Sequence, residues 1–547
     1  MNRKVLLIGA TGVFGSRLAA MLAAMPGLSL VLAARSRESL DQLRATLAAQ
    51  APAAAISVQV FDRSHVEALA QIRPWLVIDA AGPFQESSYD LALAAVRQGA
   101  HYLDLADARG FVAGFPNALE AAASASGVLA VTGASSTPAL SHAVLRMVTK
   151  GWRRLDAVTA AISPGARAPR GLAVVRAILS YAGRPVRVFR NGGWETAPGW
   201  SDLHRLDMPG LGYRWGSLCE TPDLDLLPAS FSVRHQALFL AGLELATLHF
   251  GLVALSLPVR WGLARSLRPL ARPLRALAGW LAPLGSDRGG MIVAAVGMDE
   301  RGTPIRARWA LWADANAGPS IPAAPAAALV RILLAGRDLP SGAMACTALL
   351  EIDDIMHELD GLPIRTRVDD SHVESPVLYC RLLGRRFERL PAAVKQVHGA
   401  ESQTIFVGRA LARSGRSIPA RFLRLVLGLP RTGRSDVEVR LEPDLHGETW
   451  TRRFGSARFS SRLTDTRRLG VFQEQFGPIR FVFRLEPTAR GVVWRMIGWN
   501  LAGLPLPLRL APQTKAHAEA VDGRYRFRVV VSHSWLGLLF AYRGDLA

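Results

Sequence analysis

Gly9, Gly12 and Gly15, in the run G-A-T-G-V-F-G, have the spacing of a phosphate-binding turn. Such a turn bends tightly at its first glycine, lets backbone approach a pyrophosphate at its second, and lets helix pack on strand at its third. The flanking residues supply the elements it needs. Val5 to Ile8 is an apolar run suited to a buried parallel strand, and a helical stretch follows to Met25, which turns a helix N-terminus toward the phosphates. A second strand, Leu28 to Ala34, ends at Arg35 and Ser36, where the ribose of an adenosine half should lie. An NAD site usually offers a carboxylate there, whereas Ala34 is neutral and Arg35 cationic, which suits a 2′-phosphate, so NADP is preferred to NAD. The competing reading of Arg35 is a solvated arginine after a strand.

Further strand-like runs end at Asp62, at Gly82-Pro83-Phe84, at Ala106 and at Thr132, and their polar or glycine-bearing ends should line one edge of a parallel sheet. His101, Tyr102, Asp104 and Asp107 cluster at one such strand, beside the expected cofactor edge. Reduction of a carbonyl or imine needs an acid near the hydride acceptor, so Tyr102, Asp104 and His101 are the catalytic candidates. The bland alternative is that Tyr102 packs and an aspartate caps the next helix. His142 follows the sixth strand and is a weaker candidate of the same kind. None of the four lysines has a tyrosine four positions before it, which excludes a short-chain dehydrogenase Tyr–Lys pair. There is no GxxxxGK[ST] loop and no HExxH helix, and Cys219, Cys346 and Cys380 lie far apart, so no metal site and no disulfide framework are expected.

Taken in order, G-A-T-G-V-F-G, A-A-R-S, D-A-A-G-P-F and G-A-H-Y-L-D-L-A-D resemble the NADP-binding domain of the saccharopine dehydrogenase superfamily. The resemblance implies that Gly9, Thr11, Gly12, Val13, Phe14 and Gly15 hold pyrophosphate and that Arg35 and Ser36 take the 2′-phosphate. It also implies that Asp62 faces adenine and that Ala81, Gly82 and Pro83 border the nicotinamide ribose. More loosely, G-G-M-I-V-A-A-V-G, a turn at Asp299 to Pro304 and A-N-A-G-P-S-I-P are similar to the second domain of such oxidoreductases, some of which act on lipid precursors. No substrate-binding motif of the lysine-pathway enzyme is matched. Near the end, L-L-G-R-R-F-E-R-L-P, W-T-R-R-F, E-Q-F-G-P and Y-R-G-D-L resemble a bacterial domain of unknown function, DUF4166, which brings a boundary and no activity.

A chain of 547 residues should hold about three domains. The expected fold is α/β: a Rossmann-type parallel sheet over 1–150, an α+β substrate domain over 151–375, and a mainly antiparallel β domain over 376–547. Within the last, V-E-V-R-L-E, E-T-W-T-R-R-F, I-R-F-V-F-R-L and R-Y-R-F-R-V-V-V alternate with period two, as strands of a curved or barrel-like sheet would. The net charge is +21, nearly all of it arginine, and +16 of it lies from Pro376 onward. Arginines alternating with aromatics are what the wet face of a strand looks like, so no nucleic-acid partner is expected.

The middle region holds the most apolar stretch, Ala237 to Val259, interrupted by Glu244 and His249, which favours a buried or interfacial helix over a bilayer span. Arginines and leucines then alternate from Arg260 to Leu277, with Pro269 and Pro273 among them. Residues 237–281 are therefore the expected place of any peripheral membrane contact. The glycine-punctuated N-terminus does not suit a secretory signal. The whole describes a cytoplasmic NADP-dependent oxidoreductase, peripheral at the inner membrane if 237–281 binds lipid. It would act on a small or lipid-like substrate, and a homo-oligomer is compatible with it. The alternative is a non-catalytic dinucleotide-binding scaffold or sensor with a ligand-binding C-terminal module.

Overall fold

The computed structural model describes residues 3–546 except 170, 191, 373–376, 401–403, 419, 422–423, 425–427, 445–446, 467, 478 and 502–503. The chain divides into two compact units, Met1–Ser371 and His372–Ala547.

The first unit opens with six strands and the helices between them: β1 (Arg3–Ile8), α1 (Val13–Ala23), β2 (Leu28–Ala34), α2 (Arg37–Gln50), β3 (Ala55–Val60), α3 (Leu69–Ile72), β4 (Leu76–Asp79), α4 (Asp90–Arg97), β5 (His101–Asp104), α5 (Arg109–Ser126) and β6 (Leu129–Thr132). Val5, Leu6, Leu7 and Ile8 are all buried because helices cover both faces of a parallel sheet, and such strands carry unbroken apolar runs. The spatial order is β6-β5-β4-β1-β2-β3, so the chain reverses direction between β1 and β4. In doubly wound sheets the crevice beyond the strand ends at that point takes the ligand.

A second sheet follows, from α6 (Ser141–Val148), β7 (Arg154–Ser163), α7 (Leu172–Tyr181), β8 (Pro185–Arg190), β9 (Gly193–Pro198), β10 (His204–Met208), β11 (Gly212–Leu218), α8 (Asp223–Phe231), β12 (Gln236–Ala241), α9 (Ala246–Arg260), α10 (Ala271–Leu281), β13 (Gly289–Met298) and β14 (Pro304–Ala313). The expected turn at Asp299 to Pro304 is the hairpin joining β13 to β14, its carboxylate accepting from the amides of Arg301 and Thr303 at 2.9 and 2.8 Å. The chain then makes α11 (Ala324–Leu334), β15 (Gly342–Ala345), α12 (Ile352–His357) and β16 (Ile364–His372). Here β15 returns to lie parallel beside β6 as the seventh strand of the first sheet, whereas β16 joins the second beside β14. The chain therefore crosses between the two layers more than once, and one apolar core runs through both.

The stretch Ala237 to Val259 is not one helix. Its first residues form the buried strand β12, paired with β7, and only Ala246–Arg260 is helical. Glu244 lies in the connection between the two, whereas His249 lies inside the helix. Glu244 accepts from the amides of Ala166 and Ser286 at 2.6 and 2.9 Å and pairs with Arg214 at 3.1 Å, so a carboxylate pins three segments together. His249 is buried against the Ser217 hydroxyl at 3.0 Å. Among the described residues no helix is long and apolar enough to cross a membrane. Pro273 falls in the first turn of α10, where the missing amide has no carbonyl to serve.

The second unit begins with α13 (Leu378–Leu383) and α14 (Ala392–His398). Eleven strands come after them: β17 (Thr404–Ser414), β18 (Gly433–Asp444), β19 (Gly447–Phe454), β20 (Ala457–Asp465), β21 (Val471–Phe476), β22 (Ile479–Thr488), β23 (Gly491–Leu501), β24 (Leu504–Pro505), β25 (Gln513–Val521), β26 (Arg524–His533) and β27 (Gly537–Leu546). All but β24 form a closed antiparallel barrel in the order β22-β21-β20-β19-β18-β17-β27-β26-β25-β23, and the β22–β23 pairing completes the ring. Closure removes the sheet edges that would otherwise invite pairing with another chain. The four alternating segments of the sequence are in β18, β19, β22 and β26. Val437, Val439 and Leu441, for example, are buried at every second position.

Candidate active site

A cleft of about 690 Å³ opens at the reversal point of the first sheet. Its floor is the turn after β1. Gly9 has φ +76°, and a Cβ there would lie 2.8 Å from the backbone of Ala80, so only glycine lets the turn after β1 come this close to the chain leaving β4. A Cβ on Gly15 would stand 2.1 Å from the Gly9 carbonyl oxygen, which makes Gly15 the packing glycine of the turn. Gly12 caps α1 without any side-chain hydrogen bond, and the first turn carries no acidic residue. The amides of that turn are thus left for an anion, with the positive end of the helix behind them.

Thr11, Gly12, Val13 and Phe14 form one wall together with Arg35, Ser36 and Asp62, while Ala81, Gly82 and Pro83 form another. Every cofactor residue expected from the sequence except Gly15 therefore lines this one cleft. Ser36 also accepts from the Ser39 amide at 3.3 Å as the cap of α2. Asp62 accepts from both the amide and the hydroxyl of Ser64, at 3.0 and 2.7 Å. Those two bonds, with Arg35 as a further cation nearby, hold its carboxyl below the usual range.

Two participants were not legible in the sequence. Arg63 reaches across to the buried Asp79 at 2.8 Å, donates to the Ala81 carbonyl at 2.8 Å and lies over the Phe84 ring. It holds the Ala81–Phe84 loop in place from beneath. Burial pushes the Asp79 carboxyl up to about 6 despite Arg63 and the Ala81 amide. The other is α7, whose Leu172, Arg176 and Ala177 close the far side of the cleft. The D-A-A-G-P-F motif contained the aspartate but gave no sign of its arginine.

Tyr102, Asp104 and His101 do not line the cleft. Tyr102 is wholly buried and stacks on Phe115, their ring centroids 5.8 Å apart. Asp104 accepts from the Gly133 and Ala106 amides and the Thr132 hydroxyl at 2.8 to 2.9 Å, tying β5 to the turn after β6, and burial pushes it up to about 7. His101 sits at the opening end of β5, the opposite edge of the sheet, where its Nδ1 accepts from the Leu129 amide at 3.0 Å. Their placement is that of framework residues, and the reason is strand direction: only residues beyond the end of β5 reach the crevice. His142 is buried too, its Nδ1 2.9 Å from the Pro138 carbonyl, and burial lowers it to about 4.

Besides Asp62, the acid that reaches the cleft is Asp107, three residues past β5. It is open to solvent yet crowded by protein, and that crowding raises its carboxyl above the usual range. Behind it, the Tyr181 hydroxyl and the Cys219 thiol meet at 2.9 Å, both raised by burial, with Asp107 adding to both shifts. Among the described residues no cluster of ligand-type side chains could hold a metal ion.

A glycine turn under a capless helix, at the reversal point of a parallel sheet, is a dinucleotide-binding arrangement. Residues 5–131 match the saccharopine dehydrogenase NADP binding domain family, and residues 390–546 match DUF4166, a domain of unknown function. Solved structures similar to this chain include saccharopine dehydrogenase (L-Glu forming) from Saccharomyces cerevisiae, with TM-score 0.47 and 14% identity over 67% of this chain and 100% of that one. An engineered D-amino acid dehydrogenase bound to NADP+ has TM-score 0.36 and 14% identity over 65% and 99% of the two chains. C. glutamicum DAP dehydrogenase has 0.35 and 12%, over 65% and 98%. Among curated proteins no sequence matches. The free amides of α1, the glycine cradle and Arg35 fit a nicotinamide dinucleotide.

Proposed function

We propose that the first unit is an NADP-dependent oxidoreductase that moves a hydride between its cofactor and a carbonyl or imine carbon of a small or lipid-like substrate. The observation that carries this reading is that one cleft holds both Arg35, at the end of β2 with no carboxylate on that strand end, and Asp107, beyond the end of β5. When bound, the nicotinamide supplies or accepts the hydride. Arg35 pairs with a 2′-phosphate, and the first turn of α1 donates to the pyrophosphate. Asp107, its carboxyl raised above the usual range, is the cleft's proton donor to the oxygen or nitrogen whose carbon gains the hydride. Open to solvent, it is then reprotonated.

The lipid-like substrate is supported by the surface beside the cleft. Trp261, Leu263, Leu277, Trp280 and Leu284 stand exposed on α9, α10 and the segments around them, Trp280 to 78%. Arg260, Arg265, Arg272 and Arg275 accompany them along the same stretch. Apolar side chains beside arginines suit an anionic lipid surface, at about 1 kcal/mol per basic residue near it. Arg268 pairs with Glu86, close to the nicotinamide loop, so this surface adjoins the reacting end.

Titration with NADPH and NADH tests the cofactor assignment. Arg35→Ala is expected to weaken NADPH by about 10- to 100-fold and leave NADH unchanged, and equal affinities in the wild type would remove the 2′-phosphate site. Asp107→Asn is expected to lower turnover by about 100-fold or more with binding intact. Binding without turnover on any carbonyl or imine lipid would favour the scaffold reading instead. Sedimentation with anionic vesicles should be reduced by salt and by Arg265→Glu with Arg272→Glu, and failure to sediment at low salt overturns the lipid contact.

A further inference from the structure

We propose that the barrel of the second unit is a binding site for a mainly apolar, uncharged ligand bearing one hydroxyl or carbonyl oxygen, such as a long-chain alcohol or ketone. This does not rest on the reading of the first unit. A closed ring of ten strands is wider than side chains alone fill, and it encloses a cavity of about 460 Å³. Volumes of roughly 300–1,000 Å³ are those that bury small ligands. The wall is aromatic, with Phe454, Phe459, Phe481, Trp494 and Trp499 prominent in it.

The polar edges of the indoles are already engaged. Trp450 donates to Glu448 at 2.7 Å, Trp494 to the Tyr379 hydroxyl at 3.1 Å, and Trp499 to the Pro507 carbonyl at 3.1 Å. One wall interrupts this apolar surface. Arg452, which alternation along β19 turns inward, donates to the Ser461 hydroxyl at 2.8 Å and pairs with Glu474 at 3.4 Å, while Ser461 donates to Glu474 at 2.7 Å. The guanidinium lies 5.0 Å from the Trp450 ring and 5.6 Å from that of Phe459.

An ion pair in an apolar wall is no gain over packed hydrophobic residues, so its retention points to a use. The cluster is neutral as a whole, and a charged head would leave one charge uncompensated. A hydroxyl can accept from Arg452 and donate to Glu474, and a carbonyl can accept from Arg452.

The ends of the barrel differ. At the end where β21 and β26 begin, α13 and α14 cover it: the Gly470 amide donates to the Leu382 carbonyl at 2.9 Å, and Tyr525 meets His398 at 3.0 Å. At the other end, near the β26–β27 turn, Ile418, Leu508, Trp535 and Leu536 stand exposed, Trp535 to 77%. An apolar ligand would enter across that rim.

The test titrates the full chain with hexadecanol, hexadecanoate and hexadecane while following tryptophan fluorescence, since Trp450, Trp494 and Trp499 line the cavity. Hexadecanol is expected to bind about tenfold tighter than either other probe, the worth of one added hydrogen bond. The Arg452→Met, Glu474→Leu double variant removes the pair without stranding a charge. It should bind hexadecane as before and lose the preference for the alcohol. Ala516→Trp, which fills the cavity, should abolish all binding. Gly12→Val, aimed at the other unit, should change none of it. No response to any probe, a preference for hexadecanoate, or undiminished binding in Ala516→Trp would each overturn the proposal.

Discussion

The cofactor cleft and the barrel cavity are built from opposite materials. The cleft is made of backbone: amides of α1 left without carbonyl partners, glycines that let chains approach, and strand ends that stop in one place. The cavity is made of side chains, most of them brought inward by alternation along the strands of the ring. A backbone site tolerates little change at its glycines and much around them. A side-chain site spreads its tolerance more evenly, because any one aromatic is a fraction of the wall.

The largest effect that would sharpen this contrast is at Gly15. A Cβ 2.1 Å from the Gly9 oxygen has no room, so Gly15→Val is expected to destabilise the first unit by about 4 kcal/mol or more and abolish dinucleotide binding. Thermal unfolding should show the second unit unmoved, and a shared loss would mean the two units do not respond separately. Next is Arg452→Met alone, which leaves Glu474 buried without its cation. The barrel should lose about 3 kcal/mol in urea titration, while the double variant with Glu474→Leu should recover most of it.

Acid should separate the units further. Burial holds His398 neutral, its pKa near 3, so the unfolded chain takes up a proton below about 6.5 that the folded barrel refuses. Barrel stability is therefore full above pH 6.5 and falls toward pH 3, by an amount on the order of 2–4 kcal/mol, and His398→Phe should flatten that slope. In the first unit the groups oppose one another. Asp79, Asp104 and Asp223, raised by burial to about 6, 7 and 7, favour the folded state less as pH rises from about 4 to 7. His142 and His249, both lowered by burial to about 4, favour it less as pH falls from about 6.5 to 4. Unfolding measured between pH 4 and 7 should give a flatter profile for the first unit than for the second. Smallest of all, Arg37→Ala removes an exposed pair with Asp41 at 2.8 Å and should leave the thermal midpoint of the first unit unchanged within the error of the scan.

The sequence by itself determined the elements of the cofactor cleft and the residues of its glycine turn, of the end of β2 and of the Ala81–Pro83 loop. Backbone chemistry has a local signature: a glycine at positive φ, an apolar run before it and an uncapped helix after it all lie within Val5 to Ala23. It likewise determined that the last third is antiparallel sheet, since alternation is local too. Tertiary structure decided the rest. Whether an acidic residue faces the cleft depends on where β5 stops, which puts Asp107 in and Asp104 in the framework, three residues apart. Arg63 and Asp79 meet across sixteen positions of chain that carry no sign of the pairing. Arg452 looked like its exposed neighbour Arg453, and only closure of the barrel made one position interior and the other wet, because inside and outside are properties of the ring and not of any single strand.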